Sequence, residues 1–197
     1  SRCRIASQPG LGVAGLAADG EVEDQPAPIG VELPEIGAAK RVVAIDRDGT
    51  DPLVFHVTFD FVLSNLGNVP LSGVNANESL ATTFTSPTTF GVESLTSSGF
   101  TVNPAFDGSS ATALLAPGAT LGIGAQGTIR LVVRVGSAGR SGPYTNQITA
   151  SATSPANQPV TDDSQDGGDP DPNHDGDAGD NQTPTTFTLP VNVVFIP

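Results

Sequence analysis

The chain has 197 residues, a length that fits one β-rich domain and a short extension. Its formal net charge of -13 argues against nucleic acid and anionic membrane surfaces as partners, and no apolar run is long enough for a helix to cross a bilayer. The 23 glycines and 17 prolines favour frequent turns over long helices. Cys3 is the only cysteine, so no internal disulfide can form.

The beginning of the chain differs in character from the rest. Residues 1–34 consist of short apolar pieces broken by proline and glycine, and we interpret them as an N-terminal extension of a domain that covers residues 35–197. A lone hairpin is marginally stable in water, so we expect the extension to join a sheet, either of its own chain or of another copy by strand addition. The apolar side chains that could insert into such a sheet are Ile5, Leu11, Val13 and Leu16.

The main domain predicts a series of short strands. In the clearest, residues 53–65, one face carries Phe55, Val57, Phe59, Phe61 and Leu63. Further strands are predicted at residues 40–45, 71–77, 92–95, 100–102, 128–135, 144–152 and 187–195. Pro190 lies inside the last of these, which indicates an edge position or a bulge, because proline cannot donate to a ladder. Short strands separated by turns predict an all-β, immunoglobulin-like antiparallel β-sandwich with long loops.

An acidic segment, residues 161–183, precedes the last predicted strand. It holds eight aspartates and no lysine or arginine, so charge repulsion should keep it open unless cations neutralise it. Within it the sequence DPNHDGD, residues 171–177, has the D-x-[DN]-x-[DN]-G spacing of a calcium loop. In such a loop alternate residues present oxygen atoms to one centre, and the glycine allows the sharp turn that closes it.

This spacing predicts a calcium site. The ligands expected directly from it are the side chains of Asp171, Asn173 and Asp175 and the carbonyl of Asp177. Gln182 stands where a full EF-hand loop has a bidentate glutamate, so further ligands must come from the rest of the segment. The candidates are Asp162, Asp163, Asp166, Asp169 and Asp180. The alternative is an acidic linker surrounded by solvent.

Other polar residues give weaker signals. The aspartates at positions 46, 48 and 51 could hold a second ion, but the Asp48-Gly49 pair favours a hairpin turn. His56 is predicted on the exposed face of a strand and His174 in a variable loop position. Neither histidine has the neighbours of a nucleophilic triad or a zinc site.

Lys40 is the only lysine of the chain. Some bacterial surface domains link a lysine to an asparagine in a buried site beside an acid, and Asn146 and Asp60 lie on later strands here. Asp60 is out of phase with the apolar face of its strand, so the acid would not be buried. We therefore expect Lys40 to be a surface lysine. The glycosylation triplets at Asn77 and Asn181 are short enough to occur by chance.

Four motifs carry a resemblance to a known family. They are NLGNVPL at residues 65–71, NPAFDG at 103–108, GPYTN at 142–146 and DGGDPDP at 166–172. With them, residues 34–189 closely resemble the conserved repeat domain of large bacterial surface proteins, an immunoglobulin-like domain of unknown function. The resemblance implies an immunoglobulin-like sandwich, an extracellular position and a spacer, adhesive or structural role. It does not imply an enzyme.

A second resemblance covers the start of the chain. The sequence GEVED at residues 20–24 resembles the closing end of the bacterial GEVED domain. Gln25 replaces the aromatic residue that usually follows this signature, and the body of that domain is absent. The extension therefore resembles a C-terminal remnant of a GEVED domain, which leaves β-sequence available as a donor strand.

Together these features predict a non-enzymatic structural module of a bacterial cell-surface adhesin or fibre. We expect it to be stabilised by calcium and able to form filaments by strand addition. Its partners would be other copies of itself or adjacent domains of a larger surface protein. The alternative is a carbohydrate- or protein-binding adhesin domain that acts through its loops. A glycoside hydrolase is disfavoured, because the chain offers no tryptophan and only Tyr144 as an aromatic sugar platform of the usual kind.

Overall fold

The computed structural model describes residues 2–4, 22–24 and 30–191. Strands account for 46% of the structure and helix is almost absent, so the prediction of an all-β protein is confirmed. The chain divides into two units, Ser1–Val31 and Glu32–Pro197. No helix in the described ranges is long and apolar enough to cross a membrane.

In the first unit the structure describes one antiparallel pair of short strands. Strand β1 covers Arg2–Arg4 and strand β2 covers Val22–Asp24, with Cys3 opposite Glu23. Strand β2 therefore includes the last three residues of the GEVED sequence. The side chains predicted to insert into a sheet lie outside the described residues: Ile5, Leu11, Val13 and Leu16. Whether they pack in their own chain or in another copy stays a prediction.

The second unit contains the remaining strands and two short helical turns. In chain order the strands are β3 (Ile36–Arg47), β4 (Val54–Asn65), β5 (Leu71–Asn77), β6 (Thr89–Ser98), β7 (Thr120–Leu121), β8 (Gln126–Gly136), β9 (Tyr144–Asn146), β10 (Thr149–Thr153), β11 (Pro159–Asp163), β12 (Gln165–Asp166) and β13 (Thr185–Phe187). Helix α1 covers Leu80–Thr83, and a 3₁₀ turn covers Ala178–Asp180.

Three sheets organise this unit. The largest has the strand order β12–β3–β4–β8–β6, and a four-stranded sheet has the order β11–β10–β5–β7. Strands β9 and β13 form a separate antiparallel pair. Strand β12 runs parallel to β3, whereas the other described strand pairs are antiparallel.

One hydrophobic core joins the two larger sheets. The five alternating apolar residues of β4, from Phe55 to Leu63, are fully buried, and the odd-numbered residues of β8 from Ile129 to Val135 are buried beside them. The four-stranded sheet contributes Leu71, Val74, Ala76, Ala150 and Ala152 to the same cluster. Each fully buried Phe, Leu or Val favours folding by about 1.5–3 kcal/mol. The period-two pattern of the sequence therefore determines which face of each sheet is internal.

An aromatic cluster connects the small β9–β13 pair to this core. The rings of Tyr144 and Phe187 lie 5.6 Å apart, and Phe187 also packs edge-on against Phe59 at 5.5 Å. Phe84, just after α1, lies 5.3 Å from Tyr144. These contacts hold β9 and β13 against the internal face of β4.

Some predicted strands differ from the observed ones. Residues 144–152 form two strands rather than one, because Gln147 leaves the ladder and its amide donates to the carbonyls of Ser164 and Gln182. Residues 100–102 contribute a single bridge, Val102 to Leu115. The last described strand ends at Phe187, so Pro190 lies beyond its end, and residues 192–197 are outside the described ranges.

Candidate functional site

Three of the predicted calcium ligands lie in strands at the start of the acidic segment. Asp162, in β11, is 2% exposed, and its Oδ2 accepts a 2.7 Å hydrogen bond from the backbone N–H of Ala38. Burial raises the pKa of Asp162 to about 7, and the nearby carboxylates of Asp163 and Glu35 act in the same direction, against hydrogen bonds from Ala38 and Gln182. The buried hydrogen bond between Ala38 and Asp162 therefore connects β11 to β3.

The other two strand residues also make structural contacts. Asp163 Oδ1 accepts a 2.5 Å hydrogen bond from the Thr149 hydroxyl, across the β10–β11 pair. Asp166 lies in β12, in parallel register with Lys40 of β3. The carboxylates of β11 and β12 thus belong to sheet edges, separate from the DPNHDGD turn.

The DPNHDGD turn is closed by its own carboxylates. Asp171 Oδ2 accepts from the N–H of Gly176 at 2.9 Å, and Asp175 Oδ1 accepts from the N–H of Asp177 at 3.0 Å. Asp169 Oδ1 accepts from the N–H of Asp171 at 3.1 Å. Gly176 has φ of 86°, the left-handed conformation that the predicted sharp turn needs.

Further contacts bring part of the predicted ligand set together. The amide of Asn173 donates to Asp175 Oδ2 at 3.1 Å and to Asp180 Oδ2 at 3.3 Å. Asp177 caps the 3₁₀ turn by accepting from the N–H of Gly179 at 2.9 Å. Among the described residues, no group of three or more His, Cys, Asp or Glu is arranged to hold a metal ion.

The turn nevertheless has a buried carboxylate oxygen without a partner and a further carboxylate close to its aspartates. Asp171 is 6% exposed, and within the described ranges its Oδ1 has no hydrogen-bond partner. Glu35 Oε1 accepts from the N–H of Ala178 at 2.6 Å, next to the turn. Burial raises the pKa of Glu35 most, and Asp177, Asp171 and Asp175 raise it further. Glu35 was missed from the sequence because it lies 136 residues before Asp171, just ahead of β3.

The second candidate ion site is a hairpin turn. Asp48 Oδ1 accepts from the N–H and the hydroxyl of Thr50, at 2.8 and 2.6 Å, and from the N–H of Asp51 at 3.0 Å. The hydroxyl and amide donors hold the pKa of Asp48 well below its usual value. Its other oxygen lies 3.3 Å from Nε2 of His56, whose Nδ1 lies 2.7 Å from Glu93. This geometry favours the turn over a second ion.

The expectation of a surface lysine at position 40 is wrong. Lys40 is 0% exposed, and its Nζ contacts Oε2 of Glu78, which is also 0% exposed. The ammonium group lies 4.8 Å from the ring centroid of Phe59 and 5.1 Å from that of Phe61. Burial lowers the pKa of Lys40, while the carboxylate of Glu78 opposes that shift.

The buried acid is Glu78 rather than Asp60. Asp60 faces outward, as its phase predicts, and is held by Arg130 at 2.7 and 2.8 Å and by Arg41 at 3.5 Å. Glu78 directly follows β5, in phase with the buried residues Val74 and Ala76. This alternation was the sequence signal for a buried side chain at position 78. Glu78 was considered only as the middle residue of the glycosylation triplet that begins at Asn77.

Asn146 is a further buried polar residue of this region. It is 4% exposed and pairs with Thr185 across the β9–β13 ladder. The Thr185 hydroxyl donates to the carbonyl of Lys40 at 2.7 Å, so the ladder brings Asn146 towards β3. On the other side Asn77, the residue before Glu78, pairs with Thr149, three residues after Asn146.

Two polar atoms of this cluster lack partners. Glu78 Oε1 and Asn146 Nδ2 are buried and make no hydrogen bond within the described part of the chain. We name Lys40, Glu78 and Asn146 the buried polar triad. It combines an amine, a carboxyl group and a carboxamide in apolar surroundings, where unpaired polar atoms are costly.

Comparison of the chain with models of known protein families finds no match, and comparison with curated proteins finds none either. Functional interpretation therefore depends on this chain's own residues, and the two resemblances seen in its motifs stay expectations. Three features of the chain bear on its function: the acidic turn with Glu35, the buried polar triad and the core shared by the two larger sheets.

Proposed function

We propose that the chain is a non-enzymatic, extracellular structural module of a bacterial surface adhesin or fibre. The observation that supports this most is the contact of Lys40 with Glu78, which connects the five-stranded sheet to the end of the four-stranded sheet through the core. Both side chains are 0% exposed, so a dissolved substrate has no access to them. A buried polar contact of this kind opposes separation of the two sheets, which suits a structural role better than catalysis.

An immunoglobulin-like sandwich is the architecture we propose for this module. Two mainly antiparallel sheets that share one core support it. Tyr144 adds to this support, since it begins β9 and its hydroxyl donates to the carbonyl of Arg140, four residues upstream, at 3.4 Å. A tyrosine that bonds backbone a few residues upstream, near the start of a late strand, is typical of such sandwiches.

Calcium is the cofactor we propose for the acidic turn. A bound cation would pair with the unpartnered Oδ1 of Asp171, and it would relieve the charge repulsion that adds to burial in raising the pKa of Glu35. Carboxylate and carbonyl oxygens are the ligands that calcium prefers. Asp171, Asp175 and Asp177, with Glu35, would hold the ion; the bound cation would neutralise the turn and stabilise the fold.

Filament formation by strand addition is the assembly we propose. Strand β6, Thr89–Ser98, is an edge of the five-stranded sheet as described, and a long edge strand can accept a donor. The N-terminal extension is the candidate donor. Head-to-tail repetition of that contact would give an open filament.

A carbohydrate- or protein-binding adhesin domain is less well supported. The outer face of the five-stranded sheet has a shallow groove lined by Arg41, Asp60, Thr96 and Arg130. Its charged side chains already pair with one another, as Asp60 does with both arginines. A ligand would have to compete with these ion pairs.

Electron microscopy and size-exclusion chromatography test the assembly part of the proposal. The full chain should form filaments, and a variant that lacks residues 1–31 should stay monomeric while keeping the strand content of the second unit. Monomers of the full chain with and without calcium would contradict assembly. A glycan array that bound the chain at defined sugars would favour the adhesin alternative.

A further inference from the structure

The buried polar triad has a composition that simple packing does not explain. A fully buried amine contacts a fully buried carboxyl group. A buried carboxamide nitrogen on β9, the strand paired with β13 beside Lys40, has no partner in the described part of the chain. We propose that Lys40 and Asn146 join in an intramolecular isopeptide bond, with Glu78 as the group that transfers the proton. The inference goes beyond the proposed function and holds whether or not the module forms filaments.

Lys40 is suited to act as the nucleophile. An amine attacks only through its neutral form, and burial of Lys40 lowers its pKa towards that form. The rings of Phe59 and Phe61 surround Nζ and exclude water from it. The chain has no other lysine, so Nζ of Lys40 is its only side-chain amine.

Glu78 is placed to carry the proton. Its Oε2 contacts Nζ of Lys40, and its Oε1 has no partner within the described ranges. One oxygen is thus in place to take a proton from the attacking amine, and the carboxyl group can deliver it to a second atom. The backbone of Glu78 is fixed by its N–H, which donates to the carbonyl of Thr112 at 2.9 Å.

Asn146 supplies the electrophilic carbon. Its register with Thr185, whose hydroxyl bonds the Lys40 carbonyl at 2.7 Å, brings β9 next to the middle of β3. Phe187, two residues further along β13, packs on the same Phe59 ring that lies 4.8 Å from Nζ of Lys40. The buried Nδ2 without a partner is the atom that the reaction would remove.

The reaction balances without a cofactor or an oxidant. Nζ of neutral Lys40 attacks Cγ of Asn146, a C–N bond forms, and the proton leaving Nζ passes to Glu78. Collapse of the tetrahedral intermediate breaks the Cγ–Nδ2 bond, and Glu78 returns the proton to that nitrogen. An amine and a primary amide thereby become a secondary amide and ammonia, with no change of oxidation state.

Intact-mass spectrometry of the full chain tests the proposal. The wild-type chain should be lighter than its sequence mass by about 17 Da, one ammonia. Glu78→Gln and Asn146→Ala should each show their full sequence mass. Asn75→Ala is the matched control: Asn75 belongs to β5 and its Oδ1 accepts from Leu115, outside the triad, so this variant should keep the loss.

Two measurements keep the test independent of folding. Peptide mapping should find residues 40 and 146 in one linked fragment. An amine-reactive reagent added in denaturant should label the wild-type chain at one position fewer than Glu78→Gln, because Lys40 is the only lysine. A wild-type chain of full mass with a reactive Lys40, or an ammonia loss confined to one unlinked peptide, would overturn the bond. The same loss in Glu78→Gln would overturn the role of Glu78.

Discussion

Lys40 Nζ and Glu78 Oε2 are in contact although their strands belong to different sheets. Strand β3 carries the amine in the five-stranded sheet, and the carboxylate follows β5 of the four-stranded sheet. Both groups are withdrawn from solvent completely. Removal of a single partner would leave the other group buried and uncompensated, whereas removal of both leaves an apolar interface.

The effects of substituting Lys40 and Glu78 on the free energy of unfolding should therefore be strongly non-additive. Lys40→Met and Glu78→Leu should each lower the free energy of unfolding by about 3–5 kcal/mol, and the double variant should be more stable than either single one. Denaturant unfolding measures all three. None of the three can form the Lys40–Asn146 bond, so the comparison among them isolates the contact. A double variant less stable than both single variants would show that removal of the second partner relieves nothing and would contradict the interaction.

Calcium should raise the melting temperature, and a chelator should reverse the rise. At a free concentration of about 100 times the dissociation constant, binding adds about 2.7 kcal/mol to the stability of the folded state. Asp171→Asn should remove most of this response, because it removes a charge beside Glu35. Asp46→Asn is the control: it makes the same charge change on an exposed residue near the far end of β3. A midpoint unaffected by chelation contradicts the metal site.

His56 should titrate above its usual pKa. Its hydrogen bond to Glu93 raises the pKa most, Asp48 acts in the same direction, and partial burial opposes both. In register, His56 also lies between Asp46 of β3 and Arg134 of β8. The imidazolium is stabilised only in the folded state, so this contribution is complete below about pH 6.5 and is lost as the pH rises through the raised value.

Proton NMR of the imidazole checks this prediction directly. Glu93→Gln should lower the pKa of His56, since it removes the largest cause of the shift. His56→Gln should abolish this part of the pH dependence of stability. A His56 pKa at or below about 6.5 in the wild-type chain would falsify the geometry.

A side chain at position 127 should destabilise the domain. A Cβ at this position of β8 would meet the ring of Phe100, which packs over it. Gly127→Ala should therefore destabilise the domain by about 1–3 kcal/mol through overpacking. Gly91→Ala is the matched control on the neighbouring strand β6, because a Cβ there meets nothing within 4 Å. Equal effects of the two substitutions in thermal unfolding would contradict the packing.

Strands with strong alternation could be predicted from the sequence. Residues 71–77 match β5, and the limits predicted for β4 and β8 differ from those observed by at most two residues at either end. The buried faces of β4 and β8 therefore follow from period-two patterning, whereas core residues outside the strands, such as Leu80 and Phe106, do not. The division of residues 144–152 did not follow, because the break depends on hydrogen bonds from Gln147 to Ser164 and Gln182, which are distant in sequence.

The site was harder to predict for the same physical reason. Lysine is usually exposed, so its charge outweighed the phase that Lys40 shares with Ile36 and Ala38, and the acid that stabilises it lies 38 residues away, at the end of a strand of another sheet. Glu78 had a usable signal in its phase with Val74 and Ala76, but charge usually indicates exposure. The sharp turn at Gly176 was predicted correctly from the spacing of the acidic segment. The contact of Glu35 with Ala178 could not be predicted, because it depends on tertiary packing.

The positions of Lys40 and Asn146 have a mechanical consequence. One lies in the first strand of the second unit, and the other lies in β9, which packs beside the last strand described, β13. With a covalent bond between them, a pulling force applied to both ends of the chain would pass through the bond and bypass residues 41–145. Those residues, roughly 350 Å of extended chain, would stay folded under tension and the molecule would lengthen little.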